Sequence, residues 1–562
     1  LDNMQLEKER GITIKAKSVR MDYIHSNNTR YIFNLIDTPG HVDFSYEVTR
    51  ALVACEGAIL VIDATQGVEA QTIANALLAK KARLIIIPVI NKIDLVNSNI
   101  SSTCKQIQSE LNIDKKPLLI SAKKNIGIDT LINSLINDIP PAKIILDTSL
   151  LAIIFDSFYD PYRGAVLLIR VFEGIIRKNM KILFSPSHRE YKVLEVGYMK
   201  LSMVETDILS SGDVGYIVTG IGIKDIHNIK IGETITDVSR NQVKKDLKLH
   251  NIHEQSTPFI FASIYSNNMS EYNNLKIALE KLRLSDSSFN YTADKSQALG
   301  LGFRCGFLGS LHMEIIQERL EREFNLNIII TFPSVVYKFK YKGNVITIDH
   351  PSQIPNNIKI AEILEPYVEI VITTPVKYLG KIIELCHQKR GSQKFMKYVS
   401  TISVMLTYNI PLAEIIINFH TVLKSISKGY ASFSYKHIGF EYSDLVKLEM
   451  LINFTVINEL TIIVHRTKVY NVAKIYINKL KEIIPRQMFN IPIQAKANNK
   501  IIARENISAL RKDVLAKCYG GDISRKRKLL EKQREGKLKM KKFGKVYIPS
   551  DTFINLFKIS LD

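Results

Sequence analysis

The sequence predicts a multidomain protein that opens on a doubly wound α/β unit, continues through a β-barrel and closes on mixed α+β units. Three observations predict it. At 562 residues the chain has room for about four units of ~150 residues, each able to bury a core. Residues 30 to 137 alternate short β-branched runs with helical patterns, which is how a parallel sheet with crossover helices is written. From Leu151 to about Val238 the text changes to β-runs punctuated by glycine, GAVLLIRVFEG (164–174), SGDVGYIVTG (211–220) and IGETI (231–235), which fits a small barrel.

In the first unit, strands are expected near Tyr31–Asp37, Ala58–Asp63, Leu84–Ile90 and Pro117–Ser121. Ala70, Ile73, Ala74 and Leu77 recur at i, i+3, i+4 and i+7, laying one apolar helix face against that sheet. Residues 258–332 and 333–440 each mix strand-like runs with amphipathic helices, the clearest being Leu308, Leu311, Ile315, Ile316, Leu320 and Phe324. After residue 440 comes a further mixed segment that ends in a basic tract. No repeat of fixed period and no long low-complexity linker interrupts this order. The boundaries expected are 1–147, 148–240, 255–332, 333–440 and 441–562.

Hydrophobic residues make up 46% and charged residues 23%, and no stretch nears the roughly 18 apolar residues of a membrane-spanning helix. The five cysteines have neither CxxC pairing nor histidines at zinc-finger spacing, which argues against a disulfide framework or structural zinc. A net charge of +21 calls for a polyanionic partner, nucleic acid or an acidic membrane surface. Residues 511–545 alone carry 14 Lys and Arg against 4 Asp and Glu, a local surplus of +10. The first residue is Leu, and the text after it resembles neither a signal nor a transit peptide, so we read the start as a cut.

Ligands of doubly wound sheets bind at the carboxyl ends of the strands, which here are DTPGH (37–41), DATQG (63–67), NKID (91–94) and SAK (121–123). Asp37 could hold a magnesium-bound water, and Gly40 lets a backbone N–H approach a terminal phosphate. Alone, that tetrapeptide reads as an ordinary turn. Asn91 and Asp94 offer the polar groups that read guanine's edge, and the Lys92 stem can cover the ring face. Ser121 and Ala122, with Lys123 after them, bring a backbone N–H toward the guanine oxygen. Order and position turn these short motifs into one pattern, since each follows its own strand. Upstream, in EKERGIT (7–13), Thr13 then becomes the second magnesium contact on a loop that orders around a γ-phosphate. His41 could orient the attacking water.

With these residues in hand, RGITI, DTPGHVDF and NKID resemble a translational GTPase related to elongation factor G. FRCGFLGSLHMEIIQERLEREF (303–324), KGYASFSY (428–435), IPRQMF (484–489) and LAKCYGGDISRKRKLLEKQREGK (515–537) resemble the LepA type specifically. The likeness spans essentially the whole chain. It implies a P-loop-type G domain, a β-barrel, two ferredoxin-like elongation-factor domains and a LepA C-terminal domain reaching toward transfer RNA on the ribosome. It also implies GTP and GDP with Mg2+ as ligands, a monomer, and ribosomal RNA and tRNA as partners. On the RNA side, Lys517, Arg525, Lys526, Arg527 and Lys528 are expected to neutralise phosphates; the competing reading is a solvated basic tail. The expected compartment is the bacterial cytoplasm, with peripheral attachment to the inner membrane as an option, and a mitochondrial matrix or plastid as the alternative.

Two departures stand out. Asn179 occupies a turn position where the family usually has Gly, which left-handed backbone angles accessible to Asn should accommodate. GxxxxGK[ST] occurs nowhere in the chain, and its usual place lies before residue 1. These 562 residues are therefore expected to bind GTP weakly or not at all, which tight magnesium-dependent binding would refute. The complete gene product is expected to hydrolyse GTP with the ribosome as activator. The alternative is a non-catalytic ribosome- or RNA-binding protein that has lost its phosphate loop.

Overall fold

The computed structural model describes residues 4–26, 28–145, 149–185, 187–220, 231–238, 258–296, 299–341, 344–348, 350–354, 363–398, 403–416, 418–498, 500–510, 514–515, 523–543 and 546. The first unit runs α1 (Gln5–Arg10), β1 (Lys17–Ile24), β2 (Arg30–Asp37), α2 (Ser45–Val53), β3 (Gly57–Asp63), α3 (Ala70–Lys81), β4 (Ile85–Asn91), α4 (Ile100–Leu111), β5 (Leu118–Leu119) and α5 (Ile128–Asp138). Strands β3, β4 and β5 pair in parallel in that order. The apolar run of β4 is explained by burial on both sides. Ile90 packs with Ile62, Ala76, Ile107 and Leu111 beneath α3 and α4, while Ile87 and Val89 pack with Leu131 and Leu135 of α5.

Two expectations need correction. Strand β2 does not join the parallel sheet; it pairs antiparallel with β1, from Lys17 opposite Asp37 to Ile24 opposite Arg30. A tight turn at His25–Thr29, with Asn28 at φ 62°, brings the two strands together, and this local ladder satisfies one edge of β2. Among the described residues strand β3 is paired on the β4 side alone, and its Val61 is 56% exposed. In α3 the buried residues are Ala70, Ala76 and Ala79, whereas Leu77 is 61% exposed. The helix packs on α2, α4 and the Ser432–Tyr442 strand as well as on β3 and β4, so small alanines fill its several close contacts.

The second unit is an eight-stranded antiparallel sheet with a two-stranded ribbon, Ile175–Arg177 against Ile208–Ser210. Along Gly164–Glu173, Leu167, Ile169 and Val171 face the barrel core. The alternating Val166 and Leu168 pack instead with Tyr216, Ala54 and Ile36, so the first unit covers this strand's other face. Asn179 adopts φ 67°, as the turn requires.

The third unit sets helices α6 (Tyr272–Ser285) and α7 (Ser310–Arg322) on a five-stranded sheet that takes in Ile260–Ser266, Gly300–Phe307 and Ser334–Val335. The fourth is a six-stranded sheet in which Ile363–Pro375 pairs with Ser403–Pro411 and Ser432–Tyr442. Both share one continuous core, from Ile260 and Leu279 to Ile370 and Leu423. The fifth lays Val469–Ile483 across a four-stranded antiparallel sheet whose core also takes Tyr265 and Ile329 from the third. The helix Ile523–Phe543 follows, with no buried residue among those described.

Candidate guanine-nucleotide site

At the carboxyl edge of the parallel sheet, Asn91 ends β4 directly opposite Asp63 at the end of β3. The Asn91 Oδ1 accepts from its neighbour's Lys92 N–H at 2.8 Å and from the Ala122 N–H at 3.0 Å, which ties the NKID and SAK loops together. Ser121, fully buried, donates its hydroxyl to Asp94 Oδ1 at 2.7 Å and accepts the Lys124 N–H at 3.2 Å. That Ser121 bond, with the nearby Lys124 and Lys123 charges, holds the Asp94 carboxyl below its ordinary value. In this arrangement the Ala122 N–H, expected to meet a guanine oxygen, is engaged by Asn91.

Lys92 adopts φ 64°, an uncommon left-handed conformation for a residue with a long side chain. Its ammonium lies 2.6 Å from Asp63 Oδ2, and Asp63 Oδ1 accepts the Thr65 N–H at 2.8 Å and hydroxyl at 2.7 Å. Burial would raise the Asp63 carboxyl, but the Lys92 and Thr65 bonds outweigh it and lower it. Asp63 was visible as a strand end; its partnership with Lys92 was not.

The phosphate-facing candidates stand on the other sheet. Asp37 closes β2 and is half-buried, and a Cβ placed on Gly40 would meet nothing within 4 Å. The Gly40 carbonyl accepts from Asn75 Nδ2 of α3 at 3.5 Å. Thr13 lies on the loop after α1, which ends at Gly11 in the left-handed region, φ 63°. A residue the sequence reading did not single out braces this loop. The Glu7 carboxylate is 1% exposed and accepts the Ile14 N–H at 3.2 Å, the Lys15 N–H at 3.4 Å and the Lys17 ammonium at 2.8 Å. Leu6 and Ile14 then pack with Phe44 and with Ile315 of α7, docking the loop on the third unit.

His41 Nδ1 accepts the Asp43 N–H at 3.1 Å, which places the proton of a neutral ring on Nε2. Its ring meets Phe44 edge-on at 6.3 Å and His420 at 6.4 Å. Among the described residues no group of three or more His, Cys, Asp or Glu is placed to hold a metal. Magnesium needs no such cage, since it commonly takes one or two protein oxygens and fills its sphere with water and phosphate, so Thr13 and Asp37 suffice in kind.

Arg525, Lys526, Arg527 and Lys528 lie in the first two turns of the Ile523–Phe543 helix, Arg527 lying 3.5 Å from Glu531. Lys517 falls outside the described residues. No described helix is long and apolar enough to cross a membrane.

A parallel sheet covered on both faces, with the NKID and SAK loops tied at its carboxyl edge and with β and α+β units docked on it, defines a GTPase of the translation-factor class. Family models agree segment by segment: elongation factor Tu GTP-binding domain over residues 1–141, elongation factor Tu domain 2 over 164–236, elongation factor G domain III over 256–331, elongation factor G C-terminus over 362–451 and the GTP-binding protein LepA C-terminus over 452–558. Elongation factor 4 of Chlorobium chlorochromatii is 48% identical over 561 residues, covering 100% of this chain and 92% of that protein. Elongation factor 4 of Geobacillus thermodenitrificans is also 48% identical, over 100% and 91%. The chain belongs to the elongation factor 4 family, the LepA-type ribosome-dependent translational GTPases. A crystal structure of a Thermus thermophilus protein resembles it in fold alone, with TM-score 0.55 and 14% identity over 78% of this chain and 91% of that one.

Proposed function

We propose that Asn91, Lys92, Asp94, Ser121, Ala122 and Lys123 read guanine, that Asp37 and Gly40 meet the terminal phosphate, and that His41 orients the water that attacks it. Thr13 and Asp37 would hold Mg2+, which supplies charge neutralisation at the phosphates. Support comes chiefly from one observation: Asn91 and Asp94 are each hydrogen-bonded to the loop that carries Ser121 and Ala122, so the base-reading groups move as one. An Asp94 carboxylate can accept two guanine N–H groups, and its lowered proton affinity keeps it an acceptor at neutral pH. Asn91 has two N–H donors besides the oxygen it spends on Ala122.

Base exchange tests this reading. In the intact gene product, Asp94→Asn should weaken GTP on the order of tenfold to a hundredfold and favour xanthosine triphosphate, whose C2 carbonyl oxygen accepts the new amide N–H. An unchanged preference in a nucleotide competition titration refutes the assignment.

On the ribosome, the first two turns of the C-terminal helix would track phosphates of ribosomal RNA and transfer RNA, adding affinity without sequence choice. We place the protein, as a monomer, in the cytoplasm of a bacterium, where the same lysines would serve any contact with the inner-membrane surface.

A further inference from the structure

Three units meet at one carboxylate. Asp43, 4% exposed, follows His41 by two residues and has a different donor on each oxygen. Oδ2 accepts the Leu311 N–H at 3.1 Å, in the first turn of α7 in the third unit. Oδ1 accepts the Tyr435 hydroxyl at 3.0 Å, from the Ser432–Tyr442 strand of the fourth. The backbone N–H of Asp43 is the group that holds His41 Nδ1. A Cβ on Gly309 would lie 2.1 Å from the Asp43 carboxylate, although Gly309 has φ −158°, which any residue adopts. Glycine is needed there for space rather than for backbone freedom. His420, also from the fourth unit, sets its ring perpendicular to that of His41.

We propose that Asp43 is a positioning residue for His41, and that the third and fourth units set His41 through it by way of Gly309, the Leu311 N–H and the Tyr435 hydroxyl. The functional consequence rests on the water-orienting role given to His41. Moving the fourth unit off the first removes the Tyr435 donor from a buried carboxylate, and that carboxylate must then rotate to find another partner. With one of its two side-chain anchors gone, Asp43 is no longer pinned between the units, so the residue can shift with the backbone N–H that holds His41 Nδ1, and His41 loses its fixed orientation. Ribosome-driven displacement of the fourth unit would thereby reach the hydrolytic histidine without any contact to nucleotide.

The test uses selective 15N-histidine labelling of the intact gene product. In wild type, His41 should give the signature of the Nε2–H tautomer. Tyr435→Phe preserves the ring and its packing, and should shift the His41 signals while leaving those of the distant His188 in place. Gly309→Ala should do the same, yet add nothing further in an Asp43→Ala background. Ribosome-dependent hydrolysis by Tyr435→Phe should change in kcat by about tenfold to a hundredfold with KM for GTP held, as expected when a reacting group is misplaced. His41 signals unchanged in both single variants overturn the proposal. Full hydrolysis by His41→Ala with the shifts present would overturn the role given to His41 and leave its positioning by Asp43 standing.

Discussion

At the residue scale, two carboxyl groups of the first unit respond to pH in opposite directions. Burial works to raise the Glu7 carboxyl, but the Lys17 ammonium and the Ile14 and Met4 N–H groups outweigh it, so its pKa falls below the ordinary 4.5. A lowered carboxyl stabilises the fold above the unfolded pKa and loses that contribution as pH falls through the folded one. Amide exchange at Ile14 and Lys15 should therefore quicken as pH drops below about 4.5 relative to a pH-corrected reference, and Glu7→Gln should abolish that dependence. Glu110 has the reverse sign. Burial on α4 pushes it up to about 7, with the Lys397 charge only partly opposing. A raised carboxyl contributes fully below the unfolded pKa and loses that contribution as pH rises through the folded one. The melting temperature should decline between about pH 4.5 and 7 by an increment that Glu110→Gln removes. A flat difference between wild type and variant across that window counts against the assignment.

At the element scale, what the sequence revealed and what it hid divide by the range of the interaction. NKID, SAK and DTPGH each follow a strand, and a strand of β-branched residues ending in polar ones announces itself locally; β3 and β4 lie within a residue or two of where the runs place them. Edge pairing is not local. The run ending at Asp37 reads the same whether it joins a parallel sheet or a hairpin, and only β1, which begins at Lys17, decides for the hairpin. Leu77 fails for a related reason, because helical period marks a face without naming its neighbours. Gly309 and Tyr435 were equally hidden, since what matters in each is a partner far along the chain, and Glu7 was hidden because its partners Ile14, Lys15 and Lys17 meet it only when the loop after α1 folds back. The C-terminal basic tract was legible by charge but its helical form was not: ISRKRKLLEKQREGKLKMKKF folds as one helix whose Ile523 is 79% exposed. Replacing Arg525, Lys526, Arg527 and Lys528 with alanine should weaken ribosome co-sedimentation and flatten the slope of log affinity against log salt by up to about 3. An unaltered slope would assign these charges to solvent.

At the scale of the whole molecule, the decisive question is what keeps the first unit on the third. Two kinds of contact join α1 to α7. Arg10 pairs with Glu314 at 3.2 Å and with Glu318, and Arg322 pairs with Glu9 at 2.6 Å. Beneath them Leu6, Ile14, Phe44 and Ile315 form a small buried cluster, with Ile12 and Leu311 packed against it. Most of the ion-pairing groups are wet: Glu314 is 53% exposed, and Arg322 and Glu9 are 49% and 43% exposed, with Arg10 and Glu318 at 28% and 24% the more sheltered pair. Such pairs contribute about 0–1 kcal/mol each and less in salt. Ile315 is 1% exposed, and truncating a buried isoleucine to alanine costs about 2–5 kcal/mol, since the cavity adds to the lost transfer energy. The apolar cluster should therefore dominate. Ile315→Ala should loosen the loop that carries Thr13 and expose Ile12–Lys15 to limited proteolysis, with an earlier urea transition for docking. Glu9→Gln, Glu314→Gln and Glu318→Gln together should shift that transition far less, and the shift should vanish in high salt. If the charge variants open the loop as readily as Ile315→Ala, docking is electrostatic, and the salt dependence of hydrolysis would then reside in this interface as well as in the basic helix.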